Sequence, residues 1–355
     1  MKDRIIVVGG YGQVGKVICN ELGKVYPRKV YSAGRNFHKA EQFSILTEGN
    51  VLPLRLDVNE RISDDFFQDV SMVVMCLDLQ HTDFVQACVK HHVDYIDVTA
   101  DYSIMSNIQE IRSVESTVVL SVGLAPGITN MLVKQGKDRL DQVDAAHIYI
   151  LLGLGEAHGR AAIEWTVDNL NAVYSVIEQG SAKQVRSFTD GKKMDFPAGL
   201  GRKTAYRFNF SDQHVVPRTL GISSVSTRLC FDSGIVTTMI AGLTRTGLIR
   251  WLQRPSIREK VVDLFETSKW GSEVYAVKVG VTGTINGRSL RYQGSVHGEK
   301  EFYATGRVAA FVAKQVYMRQ LPAGVFHMEE LFRPADLFAD LRDVVTLEEN
   351  LLYRS

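Results

Sequence analysis

The chain has 355 residues, too many for one ordinary α/β core and enough for two domains, or for one domain interrupted by another. With 45% hydrophobic and 23% charged residues, it has the material for sizeable cores, which excludes an intrinsically disordered chain. Its 41 Lys+Arg against 40 Asp+Glu leave a formal charge of +1, so no global field favours nucleic acid or an anionic membrane as a partner.

Short β-branched runs alternate with helical patterns through the first third, the grammar of a parallel sheet wound by crossover helices. Six strands are expected, at residues 4–8, 29–33, 51–56, 72–76, 95–98 and 117–122, with helices at 13–22, 37–47, 82–91 and 103–114. After Gly123 the pattern changes to a long helix, a strand around 146–152, a helix over 160–178 and then antiparallel signals. Asp190-Gly191 predicts a hairpin between 185–189 and 193–196, and Asn286-Gly287 another between 275–285 and 289–297, because both dipeptides favour type I′ turns. Helical patterns at 234–252 and 257–267 lie between these hairpins, and helix returns at 302–319 and 334–341. The expected fold class is α/β: a Rossmann-type, doubly wound parallel sheet from residues 1–125 plus 302–355, with an inserted α+β substrate domain of mixed sheet over 126–301.

Cys19, Cys76, Cys88 and Cys230 form no CxxC pair and sit mostly in apolar stretches, so neither a disulfide framework nor a zinc site is expected. His91-His92 has no accompanying cysteine or carboxylate pattern, and no metal site is expected there. The apolar burst in MKDRIIVVGG is too short for a signal-peptide core, and no stretch approaches the roughly 20 apolar residues that span a bilayer. These features predict a cytoplasmic protein.

The chemistry starts directly after the first strand, where Gly10, Gly12 and Gly15 fit GxGxxG with Gln13 and Val14 between them. Glycines here permit a tight turn, close approach of backbone to a pyrophosphate and close packing of helix on strand, while the helix N-terminus supplies N–H groups. An NAD enzyme presents Asp or Glu to the ribose 2′-hydroxyl about twenty positions later. Here the turn reads Gly34-Arg35-Asn36, with Lys39 one helical turn on, so two cations can meet a 2′-phosphate and NADP is favoured over NAD. Asp57 and Val58 close the third strand and are candidates for flanking the adenine; Cys76 ends a strand near the expected nicotinamide region. The segments around Asp97, Asp101 and Tyr102, and Gly123 to Asn130, end strands at the carboxyl edge of the sheet, where ligands of open α/β sheets collect. In the second domain, Glu156, His158, Arg160 and Glu164 bring a near-neutral proton carrier and a carboxylate-matching guanidinium to the entry of a helix.

GGYGQVG, SAGR with a following Lys-Ala, YIDVTAD and GLAPGITN, in this order and spacing, resemble the saccharopine dehydrogenase (glutamate-forming, saccharopine reductase) family. The likeness continues through GEAHGRAAIEW, the hairpin at Asn286-Gly287 and GRVAAFVAKQV followed by LPAGVF. The resemblance implies an NADP-binding Rossmann domain, an inserted domain that carries substrate contacts and dimerisation, and a C-terminal segment that returns to the Rossmann side. It also implies a small-molecule, amino acid-derived substrate and a homodimer. Tyr102 falls where those enzymes place an active-site tyrosine, and Asp101 and His158 join it as candidate proton carriers; Glu156, Arg160 and Trp165 are the candidate substrate contacts. Where the family commonly has Asp before the Pro-Gly turn, this chain has Ala125. Two functions are therefore carried forward: an NADP-dependent oxidoreductase acting on a CH–NH or C=N group, and an NADP-binding protein without turnover.

Overall fold

The computed structural model describes residues 2–112, 115–156, 159–252, 254–267 and 271–353. The chain divides into two units, Met1–Gly127 with Phe302–Asp340 and Ile128–Glu301 with Leu341–Ser355.

The first unit is built on β1 (Arg4–Val8), α1 (Gln13–Val25), β2 (Val30–Gly34), α2 (Phe37–Leu46), β3 (Val51–Arg55), β4 (Val70–Met75), α3 (Asp83–Lys90), β5 (Asp94–Asp97), α4 (Tyr102–Gln109) and β6 (Thr117–Leu120). In β1, Ile5 to Val8 are all buried, as a strand covered on both faces requires. In α1, Val17, Ile18, Cys19 and Leu22 recur at helical spacing and supply its buried stripe. A seventh strand, absent from the sequence reading, comes from the returning segment and pairs parallel with β6 through Gly324–His327. All pairings are parallel, and the order across the sheet, with the late strand first, is Gly324–His327, β6, β5, β4, β1, β2, β3. The order in which strands are added reverses between β1 and β4, the switch point of a doubly wound sheet.

The second unit contains α5 (Thr129–Lys137), β7 (Gln142–Leu152), α6 (Arg160–Asn169), β8 (Val173–Glu178), β9 (Ser181–Arg186), β10 (Lys192–Phe196), β11 (Gly201–Arg207), α7 (Asp212–Thr219), β12 (Val225–Phe231), α8 (Gly234–Thr246), α9 (Ile249–Leu252), α10 (Pro255–Thr267), β13 (Val274–Ile285) and β14 (Arg288–Glu299). The chain then gives the first unit α11 (Glu301–Met318), whose first residue still belongs to the second unit, β15 (the strand Gly324–His327), α12 (Met328–Leu331) and α13 (Pro334–Asp340), and ends with β16 (Thr346–Tyr353) in the second. The second sheet is mixed, in the order β10-β11-β12-β7-β13-β14-β16, with β7 and β12 parallel and the other neighbours antiparallel.

Several expectations are corrected. The last residues do not return to the first domain: β16 pairs with β14 over Leu290 to His297 and completes the second sheet. The helix read over 160–178 stops at Asn169, and 173–178 forms a hairpin with β9 across Gln179-Gly180, both with positive φ. No hairpin forms at Asp190-Gly191; β10 turns back onto β11 instead, and Asp190 is held by Arg207 and Arg228. The Asn286-Gly287 hairpin stands, with both residues at positive φ as a type I′ turn demands.

Candidate functional site

The turn after β1 is shaped by contacts that only glycine allows. A Cβ on Gly10 would lie 2.8 Å from the Ser32 backbone of β2, and one on Gly15 would lie 2.2 Å from the Gly9 carbonyl oxygen, so α1 starts pressed against the turn. Gly12 is different: its φ of −74° suits any residue, and its Cβ would meet only the Gly9 oxygen, at 3.1 Å. Gly12 is also the N-cap of α1 and offers no side-chain acceptor to the first-turn N–H groups. Those donors and the positive end of the helix dipole are left to an anion, with Gln13 and Val14 in the first turn.

Tyr11 ties this turn to the end of β2. Its ring fills the space a Cβ on Gly34 would occupy, 2.5 Å from the Tyr11 Oη, and that hydroxyl accepts a hydrogen bond from the Asn36 N–H at 3.2 Å. Asn36 then caps α2 by accepting from the Lys39 N–H at 3.1 Å. Arg35 and Lys39 are both exposed, and among the described residues neither takes part in an ion pair. On the other side of β2, the Leu56 N–H bonds the Gly34 carbonyl, which brings Asp57 and Val58 to the same edge; Asp57 is occupied by Asn59. Loops after β3 and β4 border a cleft of about 600 Å³ lined by Val58, Ile62, Leu79 and Phe84. Cys76 follows β4 beside Gly9, and burial pushes its thiol well up, so it is inert there as a small hydrophobe. The predicted cofactor residues thus converge on one edge of one sheet.

The next strand end holds a buried carboxyl. Asp97 is 1% exposed, accepts from Tyr95 Oη at 2.7 Å and from the Thr99 N–H at 2.8 Å, and is pushed up to about 6 by burial, with those two bonds pulling the other way. Asp101 caps α4 by accepting from the Ser103 N–H at 2.7 Å, a structural duty, while Tyr102, the first residue of α4, is half-buried.

In the second unit the predicted substrate residues separate. Arg160 starts α6 and donates to Glu164 at 3.1 Å, Asp263 at 2.9 Å and Glu266 at 2.7 Å, and also to Glu259. Four carboxylates around one guanidinium leave it no free fork for a substrate, so the expectation for Arg160 is corrected. Five residues on, Trp165 faces about 140° away around the helix, with its ring 5.7 Å from Phe208 and 5.4 Å from Phe210. Glu156 is buried; His158 lies outside the described residues.

Sequence reasoning missed Asp212, which opens α7 and is fully buried. It accepts from Thr227 Oγ1 at 2.5 Å and is pushed up to about 6 by burial. Nearby, His214 shares a 2.8 Å hydrogen bond with Asn209, which donates to Asn169 at 3.1 Å, and burial lowers the histidine to about 4. Nothing in the residues 208–214 marks these groups beforehand, since an acid in the first turn of a helix is ordinary on a surface.

Residues 5–119 match the family model of the saccharopine dehydrogenase NADP binding domain. No curated protein matches. Among solved structures, apo histidine-tagged saccharopine dehydrogenase (L-Glu forming) from Saccharomyces cerevisiae is similar with a TM-score of 0.69 at 12% identity, over 98% of this chain and 100% of that one. The DAP dehydrogenase of C. glutamicum in complex with DAP gives 0.46 at 12% identity, over 97% and 99%. The resemblance read from the sequence is therefore met by the family model over residues 5–119, and the fold by the yeast enzyme.

Proposed function

We propose that this chain, with a saccharopine dehydrogenase-type NADP-binding domain as its premise, is an NADP(H)-dependent oxidoreductase acting on the CH–NH or C=N group of an amino acid-derived substrate. The observation that carries the reading is the uncapped start of α1 behind Gly10 and Gly12, joined through Tyr11 to an exposed Arg35 with no ion pair among the described residues. The residues present fit the cofactor: the α1 N–H groups for the pyrophosphate, Arg35 and Lys39 for the 2′-phosphate, and Val58 for the adenine. When bound, the nicotinamide supplies the hydride.

Ala125 can move no proton, and Asp101 is engaged at its helix cap, so proton delivery falls to Tyr102 in the described part of the first unit. Trp165, half-buried and backed by the buried rings of Phe208 and Phe210, gives the second unit an aromatic face for the aliphatic part of a substrate. A small-molecule substrate, a homodimer and a cytoplasmic site of action belong to the same reading; no helix among the described residues is long and apolar enough to cross a membrane.

The test is NADPH consumption against a panel of amino acid and oxo acid pairs, with NADP⁺ reduction by secondary-amine products as the reverse arm. Tyr102→Phe is expected to lower kcat by about 10²–10⁴-fold with NADPH affinity unchanged. Tight NADPH binding with no turnover on any pair would remove the oxidoreductase reading.

A further inference from the structure

The second sheet gathers cations on one face. His147 of β7 lies opposite Ser226 of β12 and Gly280 of β13, and one step along, Arg228 lies opposite Tyr149 and, on its other side, Arg207 of β11. Alternate residues of a strand share a face, so His147, Ser226, Arg228 and Arg207 project together. Arg291 of β14, opposite Thr282, is on the same face and reaches back over Gly280: a Cβ there would lie 2.8 Å from its Nη2 and 3.0 Å from its Nε. Lys192 of β10, opposite Ala205, also projects from this face and is exposed. The opposite face is closed by α5, whose Gly136 abuts Tyr292 and Val281.

The acids here satisfy these donors only in part. Ser226 Oγ accepts from Arg228 Nη1 at 2.8 Å and meets His147 Nδ1 at 2.8 Å. Asp190 takes Arg228 and, at 3.1 Å, Arg207 Nε, while Glu178 takes Arg207 Nη2. Arg228 is fully buried and Arg207 is 5% exposed, yet Arg207 Nη1 and Arg291 Nε are buried donors with no partner among the described residues. An unsatisfied buried donor costs stability, more so when it is charged. The field registers on His147, which is lowered to about 4, first by burial and then by Lys192, Arg228, Arg291 and Arg207.

We propose that this face of the second sheet is a binding site for a small oxyanion, a carboxylate or phosphate group, held by Arg207 and Arg291 beside His147. A planar guanidinium matches either group, and the orphaned donors are the ones an oxyanion would satisfy. The site uses no residue of the proposed cofactor site, so it stands or falls separately from the oxidoreductase reading.

The experiment follows the His147 ring resonance in the full-length protein at neutral pH, titrated with inorganic phosphate and, separately, with glutarate, against chloride at matched ionic strength. A saturable shift with either probe, weakened at least about tenfold by Arg291→Gln, supports the site; phosphate alone or glutarate alone identifies the group it takes. Lys192→Met, at an exposed position, serves as a second variant should Arg291→Gln disturb the sheet. No saturable response to either probe, or a response that persists undiminished in both variants, overturns the proposal. NADPH affinity, measured in parallel, is expected to stay unchanged in both variants.

Discussion

Arg35 and Arg160 both stand at the start of a helix, where the positive end of the dipole makes a cation unwelcome. Arg160 is surrounded by Glu164, Glu259, Asp263 and Glu266, from its own helix and from α10, and its charge is consumed in holding the two helices together. Arg35 is exposed and, among the described residues, has no ion pair. Two arginines near helix N-termini, one just before the cap of α2 and one the first residue of α6, thus have opposite availabilities. An arginine's capacity to bind a ligand is set by the carboxylates the fold brings to it, and those come from distant parts of the chain.

The largest expected effect tests the anion cradle beside Arg35. Gly12→Val should abolish NADPH binding in titration calorimetry with the fold retained by circular dichroism, because valine strains no backbone at φ −74° but fills the approach to the helix start. Gly15→Val is the contrasting control and should fail to fold, its Cβ falling 2.2 Å from the Gly9 oxygen.

Arg35→Asp comes next: the preference for NADPH over NADH should fall by about 1.5–3 kcal/mol, roughly ten- to a hundredfold. Equal affinities for the two cofactors in the unmodified protein would refute the role of Arg35 before any variant is made.

Asp97 is the mirror case, a buried carboxyl with no ion pair among the described residues. Its folded value near 6 lies above the ordinary carboxylate value of about 3.9, so the folded state holds the proton more tightly than the unfolded one. The contribution of Asp97 to stability should therefore be full below about pH 4 and be lost through about pH 6, by ~2–3 kcal/mol. Asp97→Asn should flatten that decline in urea titrations, while costing about 1 kcal/mol at acid pH, since the amide keeps only one oxygen for the Tyr95 and Thr99 donors. An unchanged pH slope in the variant would show that Asp97 is not the titrating group.

The smallest effect belongs to Arg160→Met. NADPH affinity should be unchanged, and the melting temperature should drop modestly at low salt and less at high salt, because the four remaining carboxylates repel one another at a site open to solvent. A loss of cofactor or substrate binding here would reverse the comparison.

What could be read from the sequence follows the range of the forces involved. The glycine turn, Arg35 and six of the parallel strands rest on local spacing, and their elements were legible within a few residues. β15 was missed because Gly324–His327 is four residues long and pairs with β6, some two hundred positions earlier. The Asp190-Gly191 turn misled for a related reason: Asp190 is placed by Arg207 and Arg228, not by the residues beside it. Asp212 and the cations around His147 were invisible as a group, since burial and cross-strand register alone bring them together.

The backbone passes between the units three times, after Gly127, after Glu301 and after Asp340. On the ribosome this ordering has a cost in time. β6 waits for its neighbour β15 until the whole insertion has been made, and β14 keeps a bare edge until residues 346–353 emerge. The first sheet is completed only when residues 324–327 emerge and the second only with residues 346–353, so the nascent chain carries open strand edges long after β6 and β14 are made, a condition in which chaperones are needed. A truncation before residue 346 would release a protein with its first unit complete and the second sheet still open to any strand it meets.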